Sequence, residues 1–256
     1  MASRKDEKEQ RRQERLEAER TADAAARRKK MLTLLGAVAA AAVVVVVALI
    51  VVSQSGKEDN ASTGGDVATN STITAVDNLD QEGTVLGDPS AKVKIVEFGD
   101  LQCPACKQFS DTSIPKLLAG PVAGGDAKIE FKNYVIIGPE SETAAKASLA
   151  ASEQGRYWQF VELFYANQGT ENSGYVTDDF LTDIATAAGV KDLDAWNESR
   201  ESSKWDQTLA DIQQEAADAR FTGTPSFLVT GPGGEQNLGS FPPVSQVEAA
   251  IRKAAG

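Results

Sequence analysis

The strongest constraint on this chain is an apolar segment at residues 31–52, MLTLLGAVAAAAVVVVVALIVV. It holds 22 residues without a charge, and as a helix it would be roughly 33 Å long, enough to cross the hydrocarbon core of a bilayer. We therefore expect one transmembrane helix here. A cleaved signal peptide is the alternative, with Ser53 and Ser55 as a weak processing site, but its apolar region is usually only ~7–15 residues long.

Charge divides the chain at this segment. Residues 1–30 carry 11 Lys and Arg against 7 Asp and Glu, whereas the rest of the chain carries 15 against 30. The basic RRKK run directly before the apolar segment predicts that the N-terminus stays in the cytoplasm and that the acidic C-terminal part lies outside the cytoplasmic membrane. An acidic surface repels phosphate backbones, so nucleic acid is not an expected partner.

Composition separates the remaining regions. Residues 1–30 are almost all charged or Ala and form a predicted cytoplasmic tail, because they lack the apolar residues of a core. Residues 53–83 are rich in Ser, Thr, Gly, Asn and Asp, which predicts a flexible linker. Residues 84–256 have the size of a single domain with its own core.

The pattern within this domain predicts an α/β architecture. Residues 91–100 and 127–137 have the β-branched or alternating pattern of strands, and a helix is expected directly after the first of them. Residues of about 140–220 have helical periodicity and form a predicted insert. The segment PSFLVTGPGGEQNLGSF predicts a hairpin, and a closing helix is expected to start with a capping box at Ser245.

Both cysteines of the chain lie in one short segment, GDLQCPACKQF, at residues 99–109, and the chain contains no histidine. Two cysteines without histidine cannot complete a common tetrahedral zinc site, so no metal is expected. A purely structural disulfide is also disfavoured, because the stabilisation it gives grows with loop length and this loop encloses two residues. A redox function remains.

The position of the pair explains such a function. Pro104 suits the first turn of a helix, so Cys103 would lie at the helix N-terminus, where free backbone N–H groups and the helix dipole favour a thiolate. A thiolate is the nucleophile of disulfide exchange and a good leaving group. Cys106, one turn further, should be more buried and able to resolve a mixed disulfide.

These residues also carry a family resemblance. The segment LGDPSAKVKIVEFGDLQCPACKQF, followed after the helical block by GTPSFLV, resembles the DsbA-like thioredoxin-fold thiol:disulfide oxidoreductases, especially the membrane-tethered bacterial type. The resemblance implies a thioredoxin fold with an inserted helical subdomain, here preceded by one transmembrane helix. It further implies exported polypeptides with free cysteines as substrates and a quinone-linked membrane reoxidase as partner, with no cofactor in this chain.

The resemblance assigns roles to individual residues. Cys103 matches the sulfur that is attacked and donated, and Cys106 matches its partner. Thr224 and Pro225 match a segment that faces the cysteines through a cis-proline, where the backbone of Thr224 can pair with an extended substrate. Ala105 departs from the strongest oxidants of the family, which carry His there. Alanine adds no positive charge, so the disulfide should be less oxidising.

Two further residues are candidates with open alternatives. Glu97 lies six residues before Cys103, at the spacing where related thioredoxins have a buried acid, and it is in phase with the apolar face of its strand. It is either a proton-transfer group with a raised pKa or a solvated glutamate at the strand end. Leu101, in the turn before the motif, is expected to be an exposed apolar contact for substrates.

We therefore expect an extracytoplasmic enzyme that forms disulfide bonds in exported proteins through its CPAC dithiol. A reductase or isomerase on the same fold is the alternative within enzymes. A thioredoxin-fold module that binds polypeptides without catalysis is the alternative outside them.

Overall fold

The computed structural model describes residues 67–69 and 71–256. The predicted cytoplasmic tail, the predicted transmembrane helix at residues 31–52 and most of the predicted linker lie outside the described residues. Within residues 67–69 and 71–256, no helix is long and apolar enough to cross a membrane.

The predicted linker at residues 53–83 ends earlier than expected, because its last part is folded. Ser71–Asp77 forms a helix, α1, and Val76 on this helix is buried in the domain core. Ile73 and Leu79 pack against the same core. Two apolar residues of the helix and Leu79 just after it dock this segment, and the polar composition around them hides the apolar pattern in the sequence.

A six-stranded mixed sheet carries the domain, in the order β1-β2-β4-β3-β5-β6. The central strand β3 pairs in parallel with β4 and antiparallel with β5. Its apolar sequence fits burial on both faces, with only Lys94 partly exposed. The strands are β1 Gln81–Glu82, β2 Val85–Leu86, β3 Val93–Gly99, β4 Ala127–Asn133, β5 Ser226–Gly231 and β6 Gly234–Ser240.

Eight further α-helices surround this sheet in the described part of the chain. They are α2 Pro104–Thr112, α3 Ile114–Leu117, α4 Pro139–Ser152, α5 Tyr157–Ala166, α6 Asp178–Ala187, α7 Leu193–Glu201, α8 Asp206–Asp218 and α9 Val244–Ala255. A π-helical turn, Leu118–Val122, continues α3, and a 3₁₀ turn, Ser203–Trp205, precedes α8. The helical insert predicted over residues 140–220 corresponds to α4 to α8.

Helix α5 anchors the insert to the sheet. Its sequence, YWQFVELFYA, is aromatic on every side, and all but the last residue is buried. The rings of Tyr157, Trp158 and Tyr165 surround Phe131 of β4, with centroids 6.1–6.4 Å apart. Core packing, not ligand binding, therefore explains these aromatic residues.

Two predicted boundaries differ from the structure. Strand β4 ends at Asn133 rather than at residue 137. Helix α9 begins at Val244 with Pro243 as its N-cap, and no side chain caps it. The capping box predicted at Ser245 is wrong, because Ser245 already lies inside the first turn and the fixed φ of Pro243 provides the entry into the helix.

Candidate active site

The cysteine pair lies where β3 passes into α2. The strand ends at Gly99, and the turn that follows is closed by the N–H of Cys103, which donates to the carbonyl of Asp100 at 2.9 Å. Cys103 is the extended N-cap of α2, and Pro104 is the first helical residue. The predicted order of strand, CPAC and helix is confirmed, and it brings the Cys103 sulfur to the positive end of a helix.

Cys103 has the electrostatics of a nucleophile. The cysteines form no disulfide in this structure, so it represents the dithiol. A hydrogen bond from the Cys106 thiol is the largest cause that lowers the pKa of Cys103 to about 6, with further contributions from Thr224 and from the backbone N–H groups of Cys106 and Ala105. Burial opposes this shift. The sulfur is therefore largely a thiolate at neutral pH, as its place at the helix N-terminus predicted.

Cys106 has the opposite properties. It has no exposed surface, and this burial, together with the hydrogen bond that it gives to Cys103, raises the pKa of Cys106 well above its ordinary value. A sulfur without solvent access cannot attack an external disulfide. Exchange with other proteins must therefore go through Cys103.

The segment before β5 faces the cysteines. The Thr224–Pro225 peptide bond is cis, as the resemblance implied, and the Cys103 thiol donates to the carbonyl oxygen of Thr224 at 3.4 Å. Pro225 has no N–H to present to the sulfurs. Pairing of the Thr224 backbone with a substrate stays a prediction, and it requires this segment to open, because only 2% of Thr224 is exposed.

The interpretation of Glu97 as a solvated glutamate is wrong, and its role in proton transfer stays a prediction. Its side chain is buried rather than solvated, and burial is the largest cause that raises the pKa of this carboxyl well above its ordinary range, followed by the charges of Glu162 and Cys103. The charge of Glu97 in turn contributes to the raised pKa of Cys106. Glu97 is thus a buried acid with a raised pKa, electrostatically coupled to the buried thiol.

The prediction that Leu101 is an exposed contact is wrong, since only 1% of it is exposed and it belongs to the core. The carboxylate of Asp100 explains this. It accepts N–H groups of Gln102, Ile136 and Ile137 at 2.8–3.0 Å, which ties the turn to the loop after β4 and directs Leu101 inward.

Phe241, rather than Leu101, is an exposed apolar residue near the cysteine-facing segment. It is 59% exposed, and the described residues contain only one other large apolar side chain with such exposure, Ile136. Phe241 donates its N–H to the carbonyl of Pro225 at 2.8 Å, and a Cβ built on Gly223 would lie 3.3 Å from its ring. An exposed aromatic ring therefore lies beside the segment that faces the cysteines.

Two polar residues, Glu162 on α5 and Gln168 just after it, also contact the cysteine helix or the turn before it. Neither was predicted from the sequence. Gln168 donates to the carbonyls of Leu101 and Cys103 at 2.6 and 3.2 Å, so the insert fixes the active-site turn. Glu162 is buried and accepts a hydrogen bond from Ser110 of α2 at 2.8 Å. The signal for Glu162 was present, because it is the single charged residue of a mostly apolar and aromatic helix.

The site holds a thiolate, a buried thiol and buried acids, which is a set of groups for thiol–disulfide exchange. No group of three or more His, Cys, Asp or Glu side chains that could hold a metal ion occurs in residues 67–69 and 71–256.

Comparisons with known proteins agree with this chemistry. A family profile described as Thioredoxin matches residues 79–240. The chain is 30% identical over 149 residues to a probable disulfide bond formation protein D of Bacillus cereus, covering 57% of this chain and 69% of the relative. It is 36% identical over 103 residues to disulfide bond formation protein D of Bacillus subtilis, covering 40% and 46%.

Solved structures show the same fold. Oxidised BdbD from Bacillus subtilis superimposes with a TM-score of 0.61 at 24% identity, covering 76% of this chain and 98% of that one. A thioredoxin-like oxidoreductase from Silicibacter pomeroyi gives a TM-score of 0.56 at 26% identity, covering 73% and 98%.

Proposed function

The chain belongs to the thioredoxin family and is a DsbA-like thiol:disulfide oxidoreductase, and from this premise we propose that it forms disulfide bonds in exported proteins through its CPAC pair. The observation that carries the proposal is the asymmetry of the two sulfurs. Cys103 is a stabilised thiolate that keeps a small exposed surface of 7%, and Cys106 is a fully buried thiol. This pattern favours release of Cys103 as a thiolate and thus transfer of the disulfide to a substrate.

The exchange proceeds in two steps. A substrate thiolate attacks the Cys103 sulfur of the oxidised enzyme, the Cys103–Cys106 bond breaks, and Cys106 leaves as a thiolate that takes up a proton. A second substrate thiolate then attacks the substrate sulfur of the mixed disulfide and releases Cys103 as a thiolate. The substrate gains a disulfide, and the enzyme is left as the dithiol.

Glu97 supplies the proton that Cys106 needs. The Cys106 thiolate forms in a region without solvent access, and the raised pKa of the Glu97 carboxyl favours the protonated form that can donate to it. When the enzyme is oxidised again, the same carboxylate receives the proton back.

Phe241 together with Thr224 and Pro225 forms the proposed contact surface for substrates. Unfolded polypeptides expose apolar side chains, which suit the exposed Phe241 ring, and unpaired backbone, which suits the Thr224–Pro225 segment beside that ring.

We place the enzyme in the cytoplasmic membrane as a single-pass protein. The uncharged segment at residues 31–52, the basic run before it and the acidic composition after it support an N-terminus inside and a catalytic domain outside. Disulfides form and persist in that compartment. A quinone-linked membrane reoxidase, implied by the family resemblance, would accept the electrons.

The reduction potential tests the proposal. The purified full-length chain is equilibrated against glutathione buffers, and the thiols of Cys103 and Cys106 are trapped. A potential near or above roughly −180 mV supports a donor of disulfides, and one near roughly −270 mV identifies a reductant. The reductase is the second candidate because Ala105 adds no charge to stabilise the thiolate. The non-catalytic binding module is no longer an alternative for an oxidoreductase.

A further inference from the structure

The helical insert is hydrogen-bonded to the turn that leads from β3 to the cysteines. The hydroxyl of Tyr165 on α5 donates to the carbonyl of Asp100 at 3.2 Å. The side chain of Gln102, which is fully buried, donates to the hydroxyl of Ser141 on α4 at 2.9 Å and accepts the N–H of Asn172 at 2.8 Å. These bonds join the first half of the turn to the insert.

Gln168 forms the contact that includes the reacting residue itself. It follows the C-cap of α5, and its amide donates to the carbonyl of Leu101 at 2.6 Å and to that of Cys103 at 3.2 Å. The Cys103 carbonyl also accepts the N–H of Lys107 at 3.1 Å, in the first hydrogen bond of α2. No other donor within residues 67–69 and 71–256 bonds to the Leu101 carbonyl. One amide group therefore bridges two carbonyls of the active-site turn.

The place of the Cys103 sulfur depends on the backbone of this residue. The Cys103 N–H donates to the carbonyl of Asp100 at 2.9 Å, and the Cys103 carbonyl accepts from Gln168, so the residue is held at both ends. Held in this way, Cys103 is the extended N-cap of α2, and the backbone N–H groups of Ala105 and Cys106 stabilise its thiolate.

Loss of the Gln168 amide would disturb this arrangement. Only 1% of Leu101 is exposed, so its carbonyl would become a buried acceptor without a partner. Such a group is costly, and the turn can relieve the cost by rotating toward water. Because Cys103 lies two residues further along the same turn, its sulfur would then move relative to the N–H groups of α2.

This movement would affect the two redox states unequally. In the dithiol, the Cys103 sulfur is a thiolate that depends on correctly placed hydrogen-bond donors. In the disulfide, the same sulfur is uncharged and bonded to Cys106, so those donors contribute little. A misplaced turn therefore raises the free energy of the dithiol more than that of the disulfide, which makes the disulfide less oxidising.

We propose that Gln168 is a positioning residue that acts through the backbone of Cys103, holding its sulfur at the N-terminus of α2 and thereby increasing the oxidising strength of the pair. The helical insert thus takes part in the redox reaction as well as in packing. This inference rests on the proposed exchange through Cys103 and Cys106.

The test compares the full-length wild-type protein with Gln168→Met. Methionine is of similar length and uncharged but cannot donate a hydrogen bond, and Gln168 is partly exposed beyond the end of a helix, so the fold should accept it. The ultraviolet absorbance of the thiolate gives the pKa of Cys103 in the reduced protein. Equilibration against glutathione at pH 8 gives the reduction potential.

Gln154→Met is the matched control. Gln154 is also a glutamine of the insert, and its amide donates to a backbone carbonyl, that of Asp192, at 2.8 Å. It follows the C-terminal end of α4, whereas α4 contacts the active-site turn through Ser141 near its N-terminal end.

The substitution of Gln168 changes no titratable group near the sulfur. The titratable groups that face Cys103 are Cys106 of α2, Glu97 of β3 and Tyr165 of α5, and all of them remain. A shift in the pKa of Cys103 therefore reports the placement of the sulfur and not a change of charge around it.

We expect the pKa of Cys103 to rise from about 6 by roughly one unit in Gln168→Met, the equivalent of about one hydrogen bond. At pH 8, the equilibrium constant for oxidation of glutathione by the disulfide should fall about tenfold, which is roughly 30 mV of reduction potential. Gln154→Met should keep both wild-type values.

A purely structural role of Gln168 predicts a different result. The free energy of unfolding in urea would then fall equally for the oxidised and the reduced protein, while the pKa of Cys103 and the reduction potential stayed as in wild type. That outcome would overturn the inference, as would a variant whose disulfide is more oxidising than that of wild type. A wild-type pair that does not equilibrate with glutathione would instead overturn the exchange itself, and the inference with it.

Discussion

The Cys103 thiol donates a hydrogen bond to the carbonyl oxygen of Thr224 across 3.4 Å. This contact joins two segments that are 121 residues apart in the chain, the N-terminus of α2 and the turn before β5. Cys103 is otherwise enclosed, since only 7% of the residue is exposed. The carbonyl accepts from the thiol and not from the thiolate, so ionisation of Cys103 frees this backbone group for a substrate.

Ionisation of Cys103 depends first on Cys106. We expect the ultraviolet absorbance of the thiolate to titrate near pH 6 in the reduced wild-type protein. In Cys106→Ala the sulfur loses its main hydrogen-bond donor, and the pKa should rise by roughly one to two units, the equivalent of one hydrogen bond to a charged group. Cys106→Ser is the control, since its hydroxyl still donates. A pKa that stays near 6 in the alanine variant would assign the shift to the helix N-terminus instead.

Ala105 limits the oxidising strength of the pair. Its N–H contributes to thiolate stabilisation, but its side chain adds no charge, and it is only partly buried. Ala105→His should lower the pKa of Cys103 and raise the reduction potential, by roughly 30 mV for each unit of pKa. Equilibration against glutathione measures this. Ala105→Gln, of similar size but uncharged, should change the potential less, and an unchanged potential in the histidine variant contradicts the argument.

Phe241 should determine affinity for polypeptides without affecting the redox chemistry. Phe241→Asn removes the ring and keeps a residue that tolerates the positive φ of 59° at this position. We expect kcat/KM for a reduced, unfolded protein substrate to fall about tenfold, the scale of a central aromatic contact, while the rate with glutathione is unchanged. Parallel losses with both substrates would show that Phe241 supports the site rather than the substrate.

Leu101→Ala should affect stability, in contrast to Phe241→Asn, because Leu101 is a core residue. It should lower the free energy of unfolding by about 2–5 kcal/mol through the cavity it leaves. Denaturant titration of the reduced protein measures this loss.

Leu101 and Phe241 show which features of the site can be predicted from the sequence. The strand, the CPAC helix and the cis-proline segment follow from local chemistry and a specific motif, so they could be predicted. The exposure of Leu101 depends on hydrogen bonds of Asp100 with a loop 36 residues away, and the position of Phe241 depends on how β6 ends beside Pro225. Glu162 reaches the site only because the insert folds back on α2. Such long-range contacts leave no periodic signal in one sequence.

Helix α1 allows a test of where the folded domain begins. A chain that starts at Gln81 loses Val76 from the core and the hydrogen bond between Asp77 and Gln159, whereas one that starts at Thr63 retains both. We expect the free energy of unfolding of the shorter chain to be lower by at least about 2 kcal/mol, the contribution of one buried apolar side chain. Equal stability of the two chains would show that α1 is a tether after all.

The buried acids should make the reduced protein less stable as pH rises. The folded pKa of Glu162 is about 7, above that of an exposed glutamate, so the folded state binds more protons than the unfolded state between about pH 4.5 and 7. Stability from this group is complete below pH 4.5 and is lost as pH rises through 7, by roughly 3 kcal/mol in total. The raised pKa of Glu97 adds a loss in the same direction. Glu162→Gln removes its share of this dependence, so the variant should match wild type near pH 4.5 and exceed it at pH 8 when unfolding is followed in urea. A variant that is less stable than wild type at pH 8 would mean that the ionised carboxylate is well solvated where it lies, and burial could not be the cause of its raised pKa.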